Sequence, residues 1–368
     1  MKNTLVVFEH ALQSNAPFIA YLKRQIAQVA GALDSVHFIR KRDDDSLILL
    51  DEIVSSHQNV FIVTGRNHAF VGKIVATICH DSLVLRDGLL VPMKARQFTK
   101  GSYLVQKGTT QINVLEVTVG QKLPPLLIRQ PDHVLSFYLF DEGAQSEIER
   151  EIKQLEMRFE KVLQIEEVWF YRVCGVHHSQ LEMLVEVLDQ KFRMQVLVGD
   201  DLSEIICRRL IEGGWKITTA ESCTGGMLAS EIIKNSGVSS IYDGGIISYA
   251  NAVKHKELGV TEATLQKYGA VSHECVQEML QGVMEKFDAD FALAISGVAG
   301  PTGGTRQKPV GTVYVGAKCR QKERIIKCLS LKGDRTYIRE QSVFWALRLL
   351  LETNREFFFK KIKKTLDK

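Results

Sequence analysis

The residues best suited to chemistry lie in the second half of the chain, in three short segments and one arginine. The first, Thr218-Thr219-Ala220-Glu221-Ser222-Cys223-Thr224-Gly225-Gly226, follows a short strand-like run and precedes a helical stretch, Met227–Lys234. N–H groups at a helix start are free to donate, and the helix dipole favours negative charge there. A serine or cysteine at such a point can attack a carbonyl while neighbouring N–H groups stabilise the oxyanion. The same residues also suit plain capping, with Ser222 or Thr224 satisfying the helix and Gly225-Gly226 packing beside it. In the second segment, Gly244–Lys254, an apolar strand ends at Tyr249 and Lys254 follows shortly after. A lysine serves as general base only where desolvation or nearby positive charge depresses its pKa. The third is the apolar run Phe291–Ile295, which enters Ser296-Gly297-Val298-Ala299-Gly300-Pro301-Thr302-Gly303-Gly304. Such a glycine-rich loop lets the backbone approach a ligand closely. It lacks the Gly-Lys-Ser/Thr ending of a P-loop, and its spacing is not that of a dinucleotide fold. Gly333-Asp334-Arg335, ahead of a long helix, offers an arginine for phosphate, although Asp334 also suits a helix cap.

The elements around these segments read as α/β. Leu5–Phe8, Val36–Arg40 and Val60–Thr64 are strand-like, and they alternate with helical stretches over Ser14–Ala30 and Leu47–Val54, as in parallel α/β units. Leu83–Leu139 is strand-rich, with turn signals at Asp87-Gly88, Lys107-Gly108 and Pro124-Pro125. The pattern predicts a charged helix over Gly143–Leu163 and a strand over Glu167–Arg172. Leu202–Glu212 is amphipathic and closed by Gly213-Gly214, ahead of a strand from Trp215. A composition shift near Val198–Asp201 places a boundary close to Gly199, giving domains 1–198 and 199–368. The expected fold is two α/β domains, each a mainly parallel or mixed sheet flanked by helices. The Phe357-Phe358-Phe359-Lys360-Lys361 tail reads as a terminal helix with packed aromatics and solvated lysines.

The chain has 368 residues, 45% hydrophobic and 24% charged, with a net charge of +4. That excludes collagen-like, disulfide-scaffold and wholly disordered classes, and it gives no nucleic-acid footprint. The seven cysteines are scattered, with no Cys-x-x-Cys pair for zinc. Neither a signal peptide nor a membrane-spanning run is evident, so a cytoplasmic protein without membrane association is expected.

Taken together, TTAESCTGG, SYANAVK, GAVS (Gly269–Ser272), SGVAGPTGG, KPVGTV (Lys308–Val313) and GDR resemble the C-terminal domain of the competence/damage-inducible CinA family, in order and over nearly all of Leu202–Leu351. That domain is also the stand-alone nicotinamide-nucleotide amidase. The resemblance implies hydrolysis of nicotinamide mononucleotide (NMN) to nicotinate mononucleotide and ammonia, with no metal or cofactor, in a homodimer. The family's serine falls on Ser222, its tyrosine on Tyr249 and its lysine on Lys254. The residue opening the glycine loop falls on Ser296, and the GDR arginine on Arg335. Ser222 would then be nucleophile, Lys254 base and Tyr249 a proton relay or orienter. The N–H groups around Thr224, Gly225 and Gly226 are candidate oxyanion donors. Gly297, Gly300, Gly303, Gly304, Ser296 and Arg335 would hold phosphate and ribose. Cys223 is a second candidate nucleophile, but the matched segments contain no histidine to activate a thiol; His255 and His273 are the nearest. Adjacent residues at a helix start also diverge by about 100°, so only one of the two is expected to face the substrate.

The N-terminal part more faintly resembles the other CinA-family domain, related to molybdopterin-binding proteins, through Leu5–Phe8, Ser14-Asn15-Ala16, Arg42-Asp43-Asp44 and the strand into Thr64-Gly65. Where that family has a glycine-rich turn followed by aspartates, this chain has Gly65-Arg66-Asn67-His68-Ala69-Phe70-Val71-Gly72-Lys73. The later proline- and glycine-rich loop is replaced by residues near Asp141-Glu142-Gly143. These changes remove phosphate donors and metal carboxylates, so a degenerate scaffold is expected. The short stretch between Gly175 and Gly199 leaves the small KH-like middle domain of many relatives missing. Two rival readings remain: a non-catalytic competence or damage-response binding protein, and residual ADP-ribose-type pyrophosphatase activity.

Overall fold

The structure, a computed structural model, describes residues 2–39, 45–86, 88–128 and 134–360. Arg42-Asp43-Asp44, Asp87 and the tail beyond Lys360 lie outside these residues. The chain forms two compact units, 1–132 and 133–368.

The first unit runs β1 (Asn3–Phe8), α1 (His10–Gln13), α2 (Ala16–Ala30), β2 (Ser35–Ile39), α3 (Asp45–Ser56), β3 (Asn59–Thr64), α4 (His68–Ile78), β4 (Leu83–Arg86), β5 (Leu89–Pro92), β6 (Gln97–Thr99), β7 (Ser102–Lys107) and β8 (Thr110–Glu116). Its main sheet has the order β2-β1-β3-β8-β7-β6. The first four strands are parallel, and β7 and β6 return antiparallel. Every residue of β1 and β3 is buried, the pattern of strands covered on both faces. One face packs on α3 and α4, the other on α2 and the segment through Ile128. Asn15 starts α2 by accepting the N–H of Phe18 at 3.1 Å, a cap worth about 1 kcal/mol.

The second unit opens with β9 (Val134–Leu139), α5 (Gln145–Gln154), β10 (Arg158–Ile165), β11 (Val168–Cys174), α6 (His178–Lys191) and β12 (Val196–Val198). This is a βαββαβ module, antiparallel throughout, with strand order β10-β11-β9-β12 and its own apolar core under α5 and α6. Two expectations are corrected here. The helix predicted over Gly143–Leu163 stops at Gln154; Glu156 takes a positive φ of 55°, and Arg158–Ile165 turns into an edge strand. The charges along that strand face solvent, so alternation was masked by polarity on both faces. The region before Gly199 also does hold a small middle module. A compact division falls at 132/133, and the composition shift at Val198–Asp201 marks the exit from β12 into the next helix.

The remainder comprises α7 (Leu202–Gly213), β13 (Ile217–Glu221), α8 (Met227–Ile233), β14 (Gly245–Ile247), α9 (Asn251–Leu258), α10 (Glu262–Lys267), α11 (His273–Lys286), β15 (Phe291–Gly297), β16 (Thr312–Cys319), β17 (Ile325–Ser330), α12 (Arg335–Thr353) and α13 (Arg355–Phe358). The sheet order is β14-β13-β15-β16-β17, with the first three strands parallel and the last two antiparallel. Asp201, Ser272 and Asp334 cap α7, α11 and α12 with side-chain oxygens on backbone N–H groups. Phe357, Phe358 and Phe359 are buried, as the tail reading expected. They share one core with Tyr138, Phe140 and Leu197 of the middle module. Arg348 donates to the Glu166 carbonyl and pairs with Glu167 across that interface. The middle module's sheet thus gives one face to its own helices and the other to this second core, which is why no compact boundary falls at 198. Among the described residues no helix is long and apolar enough to cross a membrane.

Candidate active site

Three adjacent parallel strands, β14, β13 and β15, end at the same edge of their sheet, so the residues that follow them meet. Ser222 follows β13, Ser248 and Tyr249 follow β14, and Ser296-Gly297 close β15. Ser222 N–H donates to the Ile295 carbonyl at 2.9 Å, which fixes the serine against the end of β15. α9 then returns Lys254 beneath the loop. The result is a cavity of about 250 Å³, lined by Ser222, Tyr249, Lys254, Ser296, Gly297, Gly300, Gly303 and Arg335 among the sequence-predicted residues.

Lys254 is 1% exposed. Its Nζ lies 3.0 Å from Ser222 Oγ, 2.5 Å from the Ser248 carbonyl and 3.4 Å from the Tyr249 carbonyl. Among the described residues it forms no ion pair. Burial without a carboxylate holds its pKa below the usual lysine value. A neutral amine has two N–H groups and one lone pair. The two carbonyls take the N–H groups, and the lone pair is left for the serine hydroxyl to donate to. Ser222, itself 8% exposed, therefore has an adjacent base and an open cavity on its other side. The neighbouring thiol is differently placed: burial pushes Cys223 up to about 11, which keeps it protonated at neutral pH and a weak nucleophile.

The other predicted residues divide. Ser296 is fully buried, and its hydroxyl donates to the Ala270 carbonyl at 2.7 Å. It thereby holds Ala270-Val271 as a cavity wall, a contact between distant segments that sequence spacing could not supply. A side chain at Gly297 would meet Val313 and the Thr312 carbonyl within 3 Å, and Gly300 has a φ of +81°. Only glycine fits either place. Arg335 donates to the Gly300 carbonyl at 2.7 Å and lies 3.5 Å from the Tyr249 hydroxyl. Tyr249 is 65% exposed, so its hydroxyl meets the rim arginine and not the Ser222–Lys254 pair; the geometry favours an orienting tyrosine over a relay.

Thr224, Gly225, Gly226 and Gly304 do not line the cavity. Gly225 N–H donates to the Ser222 carbonyl. Gly226 N–H donates to Glu221 Oε2 at 3.0 Å, as does Leu228 N–H, and Ala229 N–H donates to Glu221 Oε1 at 2.8 Å. The helix start is filled by the protein's own carboxylate, so these groups are not oxyanion donors. Thr224 is buried, with its carbonyl accepting from Arg339. Gly304 packs against the Pro309–Val310 backbone. Glu221, Ala270, Val271 and Thr302 are the residues that spacing did not single out.

Residues 199–354 match the model of the CinA C-terminal domain. Over these residues the chain is a CinA-family domain. A putative competence-damage inducible protein of Thermoanaerobacter pseudethanolicus is 39% identical over 187 residues, covering 49% of this chain and 45% of that protein. A CinA-like protein of Thermotoga neapolitana is 38% identical over 223 residues, covering 59% and 54% respectively. The chain spans about half the length of the curated relatives it matches. The crystal structure of the competence/damage inducible protein CihA from Agrobacterium tumefaciens is 37% identical, with 42% of this chain and 97% of that chain covered and a TM-score of 0.40. The CinA match contains every residue of the cavity and begins where β12 of the middle module ends.

Proposed function

We propose that this CinA domain is an amidase that hydrolyses the carboxamide of NMN to nicotinate mononucleotide and ammonia. The observation that carries the reading is the buried Ser222–Lys254 pair, 3.0 Å apart and with no ion pair to the amine among the described residues, at the wall of an open cavity. Ser222 Oγ attacks the carboxamide carbon while its proton passes to Lys254 Nζ. The new C–O bond and the oxyanion form together. Collapse breaks the C–N bond as Lys254 returns its proton to the leaving nitrogen, which departs as ammonia. Water, deprotonated by the same amine, then cleaves the acyl ester and restores Ser222. The Ser248 and Tyr249 carbonyls stabilise the transient ammonium, the part a triad's carboxylate plays on a histidine. Arg335, on the rim beside the glycine loop, supplies positive charge for the nucleotide phosphate.

The same family resemblance carries the proposals of a homodimer and a cytoplasmic location. The purified 368-residue chain, given NMN in the presence of a chelator, is expected to release ammonia and nicotinate mononucleotide in equal amounts. Absence of both products would remove the assignment.

A further inference from the structure

Beside the reacting pair lies a buried carboxylate that the mechanism leaves unused. Glu221 is 1% exposed and immediately precedes the nucleophile, yet it touches neither the cavity nor any cation among the described residues. Its carboxylate accepts three N–H groups of the turn and first helical residues, from Gly226, Leu228 and Ala229. Its own carbonyl accepts from Ser248 N–H at 2.7 Å and lies 3.3 Å from the Ser248 hydroxyl. Ser248 in turn presents the carbonyl that holds Lys254. One residue thus joins the nucleophile turn to the loop that seats the base.

Hydrogen-bond accounting around the turn adds a second consequence. Ser222 N–H is taken by Ile295, Gly225 N–H by Ser222 and Met227 N–H by Thr224, and Glu221 takes those of Gly226, Leu228 and Ala229. Within the segment 222–229, the N–H groups of Cys223 and Thr224 have no carbonyl or carboxylate acceptor among the described residues, and of these two residues only Cys223 lines the cavity.

We propose that Glu221 is a positioning residue: by binding the N–H groups of Gly226, Leu228 and Ala229 it holds the 222–225 turn so that Ser222 faces Lys254 and Cys223 N–H serves as oxyanion donor. A glutamine at this place keeps the volume but turns one acceptor oxygen into an NH₂ group facing N–H donors. The turn then loses its fixed geometry, while the ligand-holding loop and Arg335 stay where they are. The cost falls on the transition state and not on substrate binding.

The inference rests on the amidase reading, so its test includes a readout independent of NMN. In the full chain, Glu221→Gln is expected to lower kcat for NMN at least about thirtyfold with KM within about threefold. Labelling of Ser222 by a fluorophosphonate, followed by intact mass, is expected to slow by a similar factor. Glu221→Asp, which keeps both acceptor oxygens, is expected to recover part of both losses, and it is read in place of the glutamine variant if that protein does not fold. Unchanged kcat and unchanged labelling in a folded variant would overturn the proposal, as would a loss confined to KM. A wild-type protein that labels at Ser222 but releases no ammonia from NMN defeats the substrate assignment alone. One that does not label at all defeats the nucleophile and this inference with it.

Discussion

The two units each carry a parallel strand that runs into a helix through a glycine-containing turn, and the two turns have been used in opposite ways. In the first unit β3 ends at Thr64, and Gly65-Arg66-Asn67 leads into α4. Glu9, from the end of β1, accepts Asn67 N–H at 2.8 Å and sits against Gly65. His68 at the helix start is buried, edge-on to Tyr103, and burial holds its pKa below the usual histidine value. In the second unit β13 ends at Glu221, which likewise fills a helix start. The difference is the layer in front. There Ser222 and Lys254 form a pair open to a cavity, whereas the described residues at the first turn offer neither a lysine base nor a hydroxyl beside one. Capping a helix start with the protein's own carboxylate removes an anion site; it leaves chemistry only where a nucleophile and a desolvated base stand beside it.

The largest expected break in this contrast is at Lys254. Replacing it with arginine, which stays charged, is expected to reduce kcat by at least about a thousandfold, on the scale of triad-type knockouts, with ligand binding retained. In the wild type, kcat should rise with pH through the depressed lysine pKa. The same residue predicts a stability effect. Its folded pKa lies below the unfolded value of about 10.4, so the unfolded chain binds more protons between the two. Wild-type stability therefore gains with rising pH across that window. Lys254→Met removes the desolvation cost and is expected to raise the melting temperature most at pH below the folded pKa, with the advantage shrinking as pH climbs. A constant difference from pH 6 to 10 would argue that Lys254 is not perturbed.

Arg335→Ala should cost less, about tenfold in KM from one lost charge-assisted hydrogen bond, with little change in kcat. A kcat-only effect would place Arg335 in the chemistry instead. Next comes truncation. A fragment beginning at residue 133 is expected to keep nearly full kcat because it retains the docked middle module. One beginning near Val198 strips the partners of Arg348 and Phe359 and should melt lower while its chemistry survives. The smallest effect belongs to the first unit: Glu9→Ala or His68→Ala should leave NMN turnover within about twofold. A larger loss would mean that the first unit takes part in the reaction.

Much of this was legible in the sequence because the site is built where parallel strands end. Ser222, Tyr249, Lys254, Ser296 and the glycine loop are grouped by the resemblance of their motifs to the CinA family. The structure supplies the physical reason, since residues that follow β13, β14 and β15 meet at one sheet edge. Asp334, which the sequence offered as a helix cap, does start α12 by accepting Tyr337 N–H, a signal local to the chain. What stayed hidden depended on where side chains turn and on distant partners. Gly225 and Gly226 looked like anion donors because nothing local announces that the glutamate one strand-end earlier will fill them. Ser296 and Ala270 meet only through the sheet. The middle module escaped notice because β10 is a charged edge strand, and its alternation does not separate buried from exposed positions.

The central claim is that Ser222, activated by a neutral Lys254, performs the chemistry, and the thiol beside it does not. The most direct measurement compares Ser222→Ala with Cys223→Ala for ammonia release from NMN under identical conditions. The account predicts a loss of at least about a thousandfold for the serine variant, and a change within about tenfold for the cysteine variant, whose thiol is held protonated by burial. The reverse ranking would contradict it.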